Sequence, residues 1–273
     1  MKKFILFFTI VLSFAQIDAQ EKAMWNKVSQ EKVSRLERIK KTSYSENQQF
    51  YTLNIDVLRK KLSVAKTQRS GLSNTVIEFP TVNGEFEKFQ VWENSNFAPE
   101  LQQKYPNIRA YVGRSISNKT TTINFSLSPR GIQTMILKAD NNSEFIEPAS
   151  REGELYILFD SKTRVSEKLS FVCKTIDKKI NQDVLNRTQL TSRANNQSYK
   201  TLRLALSCTG EYGAYFGGKE AALAAMNATM TRVNGIFEKD LAVHLNIIAN
   251  NDLVIYTNAN SDPYSNASTG SEG

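Results

Sequence analysis

Few side chains in this 273-residue sequence are suited to chemistry. It has one histidine, His244, and two cysteines, Cys173 and Cys208. A histidine that holds a metal needs further ligands at set spacing. His244 instead lies in Ala242-Val-His-Leu-Asn246, where alternation puts Ala242, His244 and Asn246 on one strand face and Val243, Leu245 and Ile247 on the other. It reads as a strand histidine on the more polar face. Glu211, beside Tyr212, and Asp240 form a conceivable acid pair, but nothing orients them toward each other, and they read as loop solvation and helix capping. Gly210, Gly213, Gly217 and Gly218 make a glycine-rich run without the Lys-Ser/Thr of a phosphate loop, so it reads as a loop and turn. No catalytic or metal-binding residue is assigned in this chain.

The N-terminus sets the compartment. Lys2 and Lys3 precede an apolar run from Phe4 to Phe14, followed by small residues at Ala15 and Ala19. That order marks a secretory signal peptide, with Gln16 or Gln20 as the new first residue. The run is well short of the roughly 20 apolar residues that cross a bilayer as a helix. No other stretch approaches that length without a charge, so no membrane span is expected after signal removal. Two cysteines in an exported chain permit one disulfide or two thiols. The net charge of +8 is concentrated early. Its mixed signs, the exported context and the lack of any nucleic-acid motif argue against nucleic acid as a partner. Asn118-Lys-Thr and Asn227-Ala-Thr match glycosylation sequons and are read as incidental.

The elements divide into three regions. Residues 21–41 read as helix, with Met24, Trp25, Val28, Leu36 and Ile39 near helical spacing. Gln49 to Ile55 reads as extended, and Asp56 as the cap of a second helix. From about Asn74 to Asp160 short strands recur. Asn83-Gly84 turns between the strands 75–79 and 85–92, and Ser128-Pro-Arg130 bends a hairpin of 120–127 and 131–137. Residues 143–146 and 154–159 read as further strands, and Pro99 opens a short helix to Tyr105. Residues 177–200 are polar and read as a linker. Then come a strand at 202–207, an amphipathic helix at 219–238 carrying Leu223, Met226, Met230, Val233 and Phe237, and strands at 241–248 and 253–256. The expected fold is α+β: an antiparallel strand-rich domain with N-terminal helices, then an incomplete β-α-β-β start of an α/β domain.

The last region carries a resemblance. Leu202-Arg-Leu-Ala-Leu-Ser-Cys-Thr-Gly-Glu-Tyr212, Ala225 to Phe237, Asp240 to Asn246 and Asp262-Pro-Tyr264 resemble the start of a reprolysin-type (adamalysin-like) zinc metallopeptidase domain of the secreted bacterial branch. Phe89-Gln-Val-Trp-Glu93 and Pro99 to Pro106 are similar to that branch's propeptide. The resemblance implies a signal peptide at 1–19, a propeptide-like domain at 20–176, a linker at 177–200 and a partial zincin metallopeptidase domain at 201–273. It also implies zinc in the complete protein and protein or peptide substrates outside the cell or in the periplasm. The family holds zinc with H-E-x-x-H-x-x-G-x-x-H. With a single histidine this chain lacks that motif, so none of its residues is assigned to zinc and it is expected to be inactive alone. Some relatives bind calcium through an acid in the first strand; Arg203 stands there, and no calcium is expected.

The resemblance adds a reading of the cysteines. Zymogens of related peptidases close the zinc site with a propeptide thiolate, and Cys173 is a candidate for that role although the usual motif around it is missing. A Cys173–Cys208 disulfide and two unpaired thiols remain the other readings. Arg187 and Arg193 are the expected processing positions, in the exposed linker. The alternative from another class is a non-catalytic exported β-rich binding or adhesion module.

Overall fold

The computed structural model describes residues 23–29, 33, 48–68, 71–140, 142–150, 153–162 and 198–264. Cys173, Arg187 and Arg193 lie outside them, as does the signal segment.

Alternating side chains build nine strands: β1 (Trp25–Val28), β2 (Gln49–Leu53), β3 (Val76–Pro80), β4 (Phe86–Glu93), β5 (Arg109–Ser115), β6 (Thr122–Ser128), β7 (Gly131–Leu137), β8 (Ser143–Pro148) and β9 (Leu155–Asp160). They form one sheet in the order β1-β2-β9-β8-β7-β6-β5-β4-β3, antiparallel at every step. Helices α1 (Ile55–Leu62) and α2 (Pro99–Lys104) interrupt the strands. The sheet curls until its two edges meet. Trp25 on β1 donates its indole N–H to the Glu78 carbonyl on β3 at 3.0 Å, and its ring lies 6.1 Å from that of Phe79. Inside the curl, Leu58 and Leu62 of α1 join Tyr51, Phe79, Phe89, Phe125, Ile136 and Tyr156 in one core. Gly131 is required at the β6–β7 turn. Its φ is +97°, and an added Cβ would stand 2.3 Å from the Tyr156 hydroxyl.

The second unit contains β10 (Lys200–Leu204), α3 (Gly210–Phe216), α4 (Lys219–Leu241) and β11 (Val243–Ile247). β10 and β11 pair in parallel, from Lys200 against Val243 to Leu204 against Ile247, so α3 and α4 form the crossover that parallel pairing demands. α4 is buried on two sides. One side packs on β11 through its apolar stripe. The other lies across β5, β6 and β7 of the large sheet. This explains an oddity of β6, where the polar alternate residues Asn124, Ser126 and Ser128 are as buried as Ile123, Phe125 and Leu127. Small polar side chains let the helix approach: a Cβ at Gly235 would come within 2.6 Å of Asn124 Nδ2.

Among the described residues the architecture is α+β with a large antiparallel sheet and few helices; strand β5 has no counterpart in the sequence reading, and four further details differ from it. Trp25–Val28 is a strand, not part of a helix over 21–41, because the indole finds its partners on β3 and tertiary packing outweighs helical spacing. The cap of α1 is Asn54, whose side chain accepts the Val57 N–H at 3.2 Å, while Asp56 sits in the first turn. The glycine-rich run is the helix α3. Thr209 caps its start and the left-handed Gly217 its end, while Gly210 and Gly213 admit the backbone of Asn258 and Tyr256. Residues 251–254 form a 3-10 turn in place of a strand at 253–256, so among the described residues the unit runs β-α-α-β, with an isolated Cys208–Ile255 bridge in addition. Asn251 causes this. Its buried side chain pairs with both the N–H and C=O of Leu206, at 2.7 and 2.9 Å, doing what a strand backbone would do.

Candidate functional site: the seam between the two units

The backbone of 94–98, between β4 and α2, lies along the outer edge of β11. The Ile247 N–H donates to the Asn96 carbonyl at 2.7 Å, and the Ala98 N–H donates to the Ile247 carbonyl at 2.8 Å. The result is a parallel bridge between Phe97 and Ile247. One position earlier on the same edge, Leu245 N–H donates to Asn234 Oδ1 and Leu245 C=O accepts from Asn234 Nδ2, both at 2.9 Å. At Leu245 and Ile247 the outward polar groups of β11 are therefore satisfied, by a helix side chain at the first and by the strand-rich unit at the second. An unpaired strand edge is the usual route to unwanted pairing.

Asn96 ties these contacts together. It is 1% exposed. Its Nδ2 donates to Thr231 Oγ1 at 2.8 Å and to Asn227 Oδ1 at 2.9 Å, and its Oδ1 accepts from Asn234 Nδ2 at 2.8 Å. Asn227 Nδ2 donates back to the Arg109 carbonyl on β5 at 3.0 Å. Buried amides of this kind are costly when unpaired and rigid when satisfied. An apolar cluster flanks the network. Phe97, Leu101 and Ile108 from one unit pack with Leu223, Met226, Met230 and Ile247 from the other. Arg232 closes the far side with an ion pair to Glu147 at 2.9 Å, its guanidinium 5.2 Å from the Phe145 ring centroid.

His244 also belongs to the seam. It lies on β11 as expected, and it is 4% exposed. Its Nε2 lies 3.1 Å from the Ser95 carbonyl, an acceptor only, so Nε2 carries the proton. Its Nδ1 lies 2.6 Å from Glu238 Oε1, which also accepts from Asn94 Nδ2 at 2.8 Å. Alternation alone cannot show this, because both partners come from other elements.

The described residues do not fit a zinc ion. Both ring nitrogens of His244 are spent, and no group of three or more His, Cys, Asp or Glu among the described residues is placed to hold a metal. Cys208 is buried, its Sγ 3.8 Å from the Tyr256 carbonyl, and burial raises its thiol pKa above the ordinary value. Glu211 and Asp240 are not brought together: the first lies in the opening turn of α3, the second near the end of α4. Asp262 is the carboxylate that acts at α3. It accepts the Gly210 N–H at the helix start, where negative charge is favoured, and the Tyr264 N–H. Tyr264 in turn donates to Ser207 Oγ at 2.6 Å. No helix among the described residues is long and apolar enough to cross a membrane.

Residues 198–273 match the family model described as metallo-peptidase family M12B, reprolysin-like. This segment is reprolysin-like. The match begins two residues before β10 and includes all of the parallel β10–β11 unit with its helical crossover. It also includes Asp262 and Tyr264. No curated protein matches the chain.

Proposed function

We propose that this chain is the N-terminal portion of a secreted zinc metalloendopeptidase precursor. Residues 1–19 are its signal peptide, 20–176 a propeptide-like unit, 177–200 the connector, and 201 onward the beginning of the peptidase domain. The reprolysin-like match over 198–273 is the observation that carries this reading. Where such enzymes bind zinc, the metal polarises the scissile carbonyl and the attacking water. The residues of this chain provide scaffold: β10 and β11 start a parallel sheet, α4 covers one face of it, and Asp262 fixes the start of α3. The seam gives the strand-rich unit a specific seat on that scaffold, as an inhibitory or chaperoning segment requires. The substrates of the whole enzyme are proteins or peptides.

Two measurements test the reading. N-terminal sequencing of the exported protein gives Gln16 or Gln20 as first residue. Purified residues 20–273 bind no stoichiometric zinc and cleave neither casein nor gelatin, because three suitably placed ligands are missing. Retention of Met1 in the exported protein, or chelator-sensitive cleavage by residues 20–273 alone, overturns the proposal.

A further inference from the structure

The seam has the composition of an interior, not of a contact between loosely tethered domains. Asn96, Asn227, Asn234 and Thr231 are each at most 4% exposed, and Phe97, Leu101 and Ile108 share a core with α4 and β11. Among the described residues these contacts are all non-covalent. If the 94–98 segment left, Ile247 would have its N–H and C=O unpaired on the outer edge of β11. The polar atoms of Asn227, Thr231 and Asn234 would lose the amide that joins them. Departure thus exchanges a matched set of buried hydrogen bonds for contacts with water and uncovers the apolar cluster beside them.

We infer that the outer edge of β11 is a strand-accepting site that reads an extended Asn-Phe segment, and that it keeps the strand-rich unit bound after the connector is cut. Recognition has three parts. The backbone of residues 96–98 adds in parallel to Ile247, main-chain pairing of the kind used in strand-addition complexes. The Asn96 amide enters a polar notch of α4 that offers acceptors to its Nδ2 and a donor to its Oδ1. Aspartate at position 96 has no donor for Thr231 Oγ1 and Asn227 Oδ1, and glutamine has one methylene too many. Phe97 fills the apolar cluster beside the notch. Arg232, paired with Glu147 and bonded to the Thr134 carbonyl at 3.3 Å, anchors α4 to the large sheet at a separate point. Processing between the two units therefore yields a two-chain complex, and release of the strand-rich partner is a second, separate event. The inference goes beyond the metallopeptidase reading and depends on association alone.

The test uses the full chain carrying a site-specific protease sequence inserted between Arg187 and Arg193, with reductant present throughout so that no cysteine bridge contributes. Complete cutting is verified on a denaturing gel, and the products then run on a native sizing column at about 1 μM, where a nanomolar complex stays together. The expected result is one peak at the position of the uncut protein, containing both pieces. Asn96→Asp, cut in the same way, raises the dissociation constant at least tenfold, and Arg232→Ala raises it several-fold. Separate peaks from the cut wild-type chain overturn the inference outright, whether or not any variant folds. An Asn96→Asp complex as tight as wild type overturns the role given to the Asn-Phe segment. Neither result bears on whether 198–273 is part of a peptidase.

Discussion

Replacing Asn234 with leucine is the sharpest perturbation the seam offers. Leucine has nearly the shape of asparagine, so the substitution keeps the packing and removes only the amide. Three buried groups lose their partners: Asn96 Oδ1, bonded at 2.8 Å, and the N–H and C=O of Leu245, each bonded at 2.9 Å. Asn234 is 2% exposed, so water does not readily replace the lost bonds. At about 1–3 kcal/mol for each orphaned group, the loss is roughly 3–9 kcal/mol, a large part of the 5–15 kcal/mol that stabilises an ordinary domain. Urea unfolding followed by fluorescence of the two tryptophans measures it. Thr229→Ala is the control. Its hydroxyl bonds only back to the Ala225 carbonyl on an exposed face of the same helix, and it changes stability by less than about 0.5 kcal/mol. Asn96→Leu combined with Asn234→Leu costs clearly less than the sum of the two single changes, since each removes groups that the other orphans. A single Asn234→Leu variant within 1 kcal/mol of wild type, or strict additivity in the pair, refutes the network as described.

Other consequences follow from the rest of the molecule. Gly131→Ala costs about 2–4 kcal/mol in the same urea assay, since it combines a strained φ with a clash against Tyr156. Ala242 ends α4 in the left-handed region at φ 53°, so Ala242→Gly raises stability by about 1 kcal/mol. Burial pushes the phenols of Tyr111 and Tyr156 up to about 12, so the folded state holds protons that the unfolded state releases near pH 10. Their contribution is complete below about pH 10 and is lost as the pH rises toward 12, up to about 2.7 kcal/mol each. Ultraviolet titration checks this by the late appearance of their phenolates. The raised thiol of Cys208 predicts slow alkylation in the reduced, folded protein and fast alkylation after unfolding, read by peptide mass mapping.

Strand content was legible because turn chemistry marked it. Asn83-Gly84 and Ser128-Pro-Arg130 lie between strands that pair as expected, and Pro99 opens a helix in its expected place. Strand β5 was missed. In Arg109-Ala-Tyr-Val-Gly-Arg-Ser115 the alternation is blurred because both faces are covered, one by the core and one by α4. The glycines of α3 illustrate a different limit. They are present for close backbone approach within a helix, and sequence alone does not separate that need from a turn. The seam was the least legible part. Asn96, Asn227 and Asn234 look like ordinary polar residues, and the 3.6-residue pattern of α4 marks its apolar stripe but not the polar stripe beside it. Only the docking of a segment 131 residues away from Asn227 gives those amides their partners.

The proposed zinc metallopeptidase, of which 198–264 forms part, holds its metal outside the described residues. The most direct measurement is metal content and casein cleavage by the native protein isolated from producing cells, identified by peptides from 198–264. Close to one zinc per chain and proteolysis that a chelator abolishes and zinc restores are the expected results. Proteolysis unaffected by chelator, or a native protein that carries no zinc and cleaves no protein after removal of the strand-rich unit, contradicts the proposal.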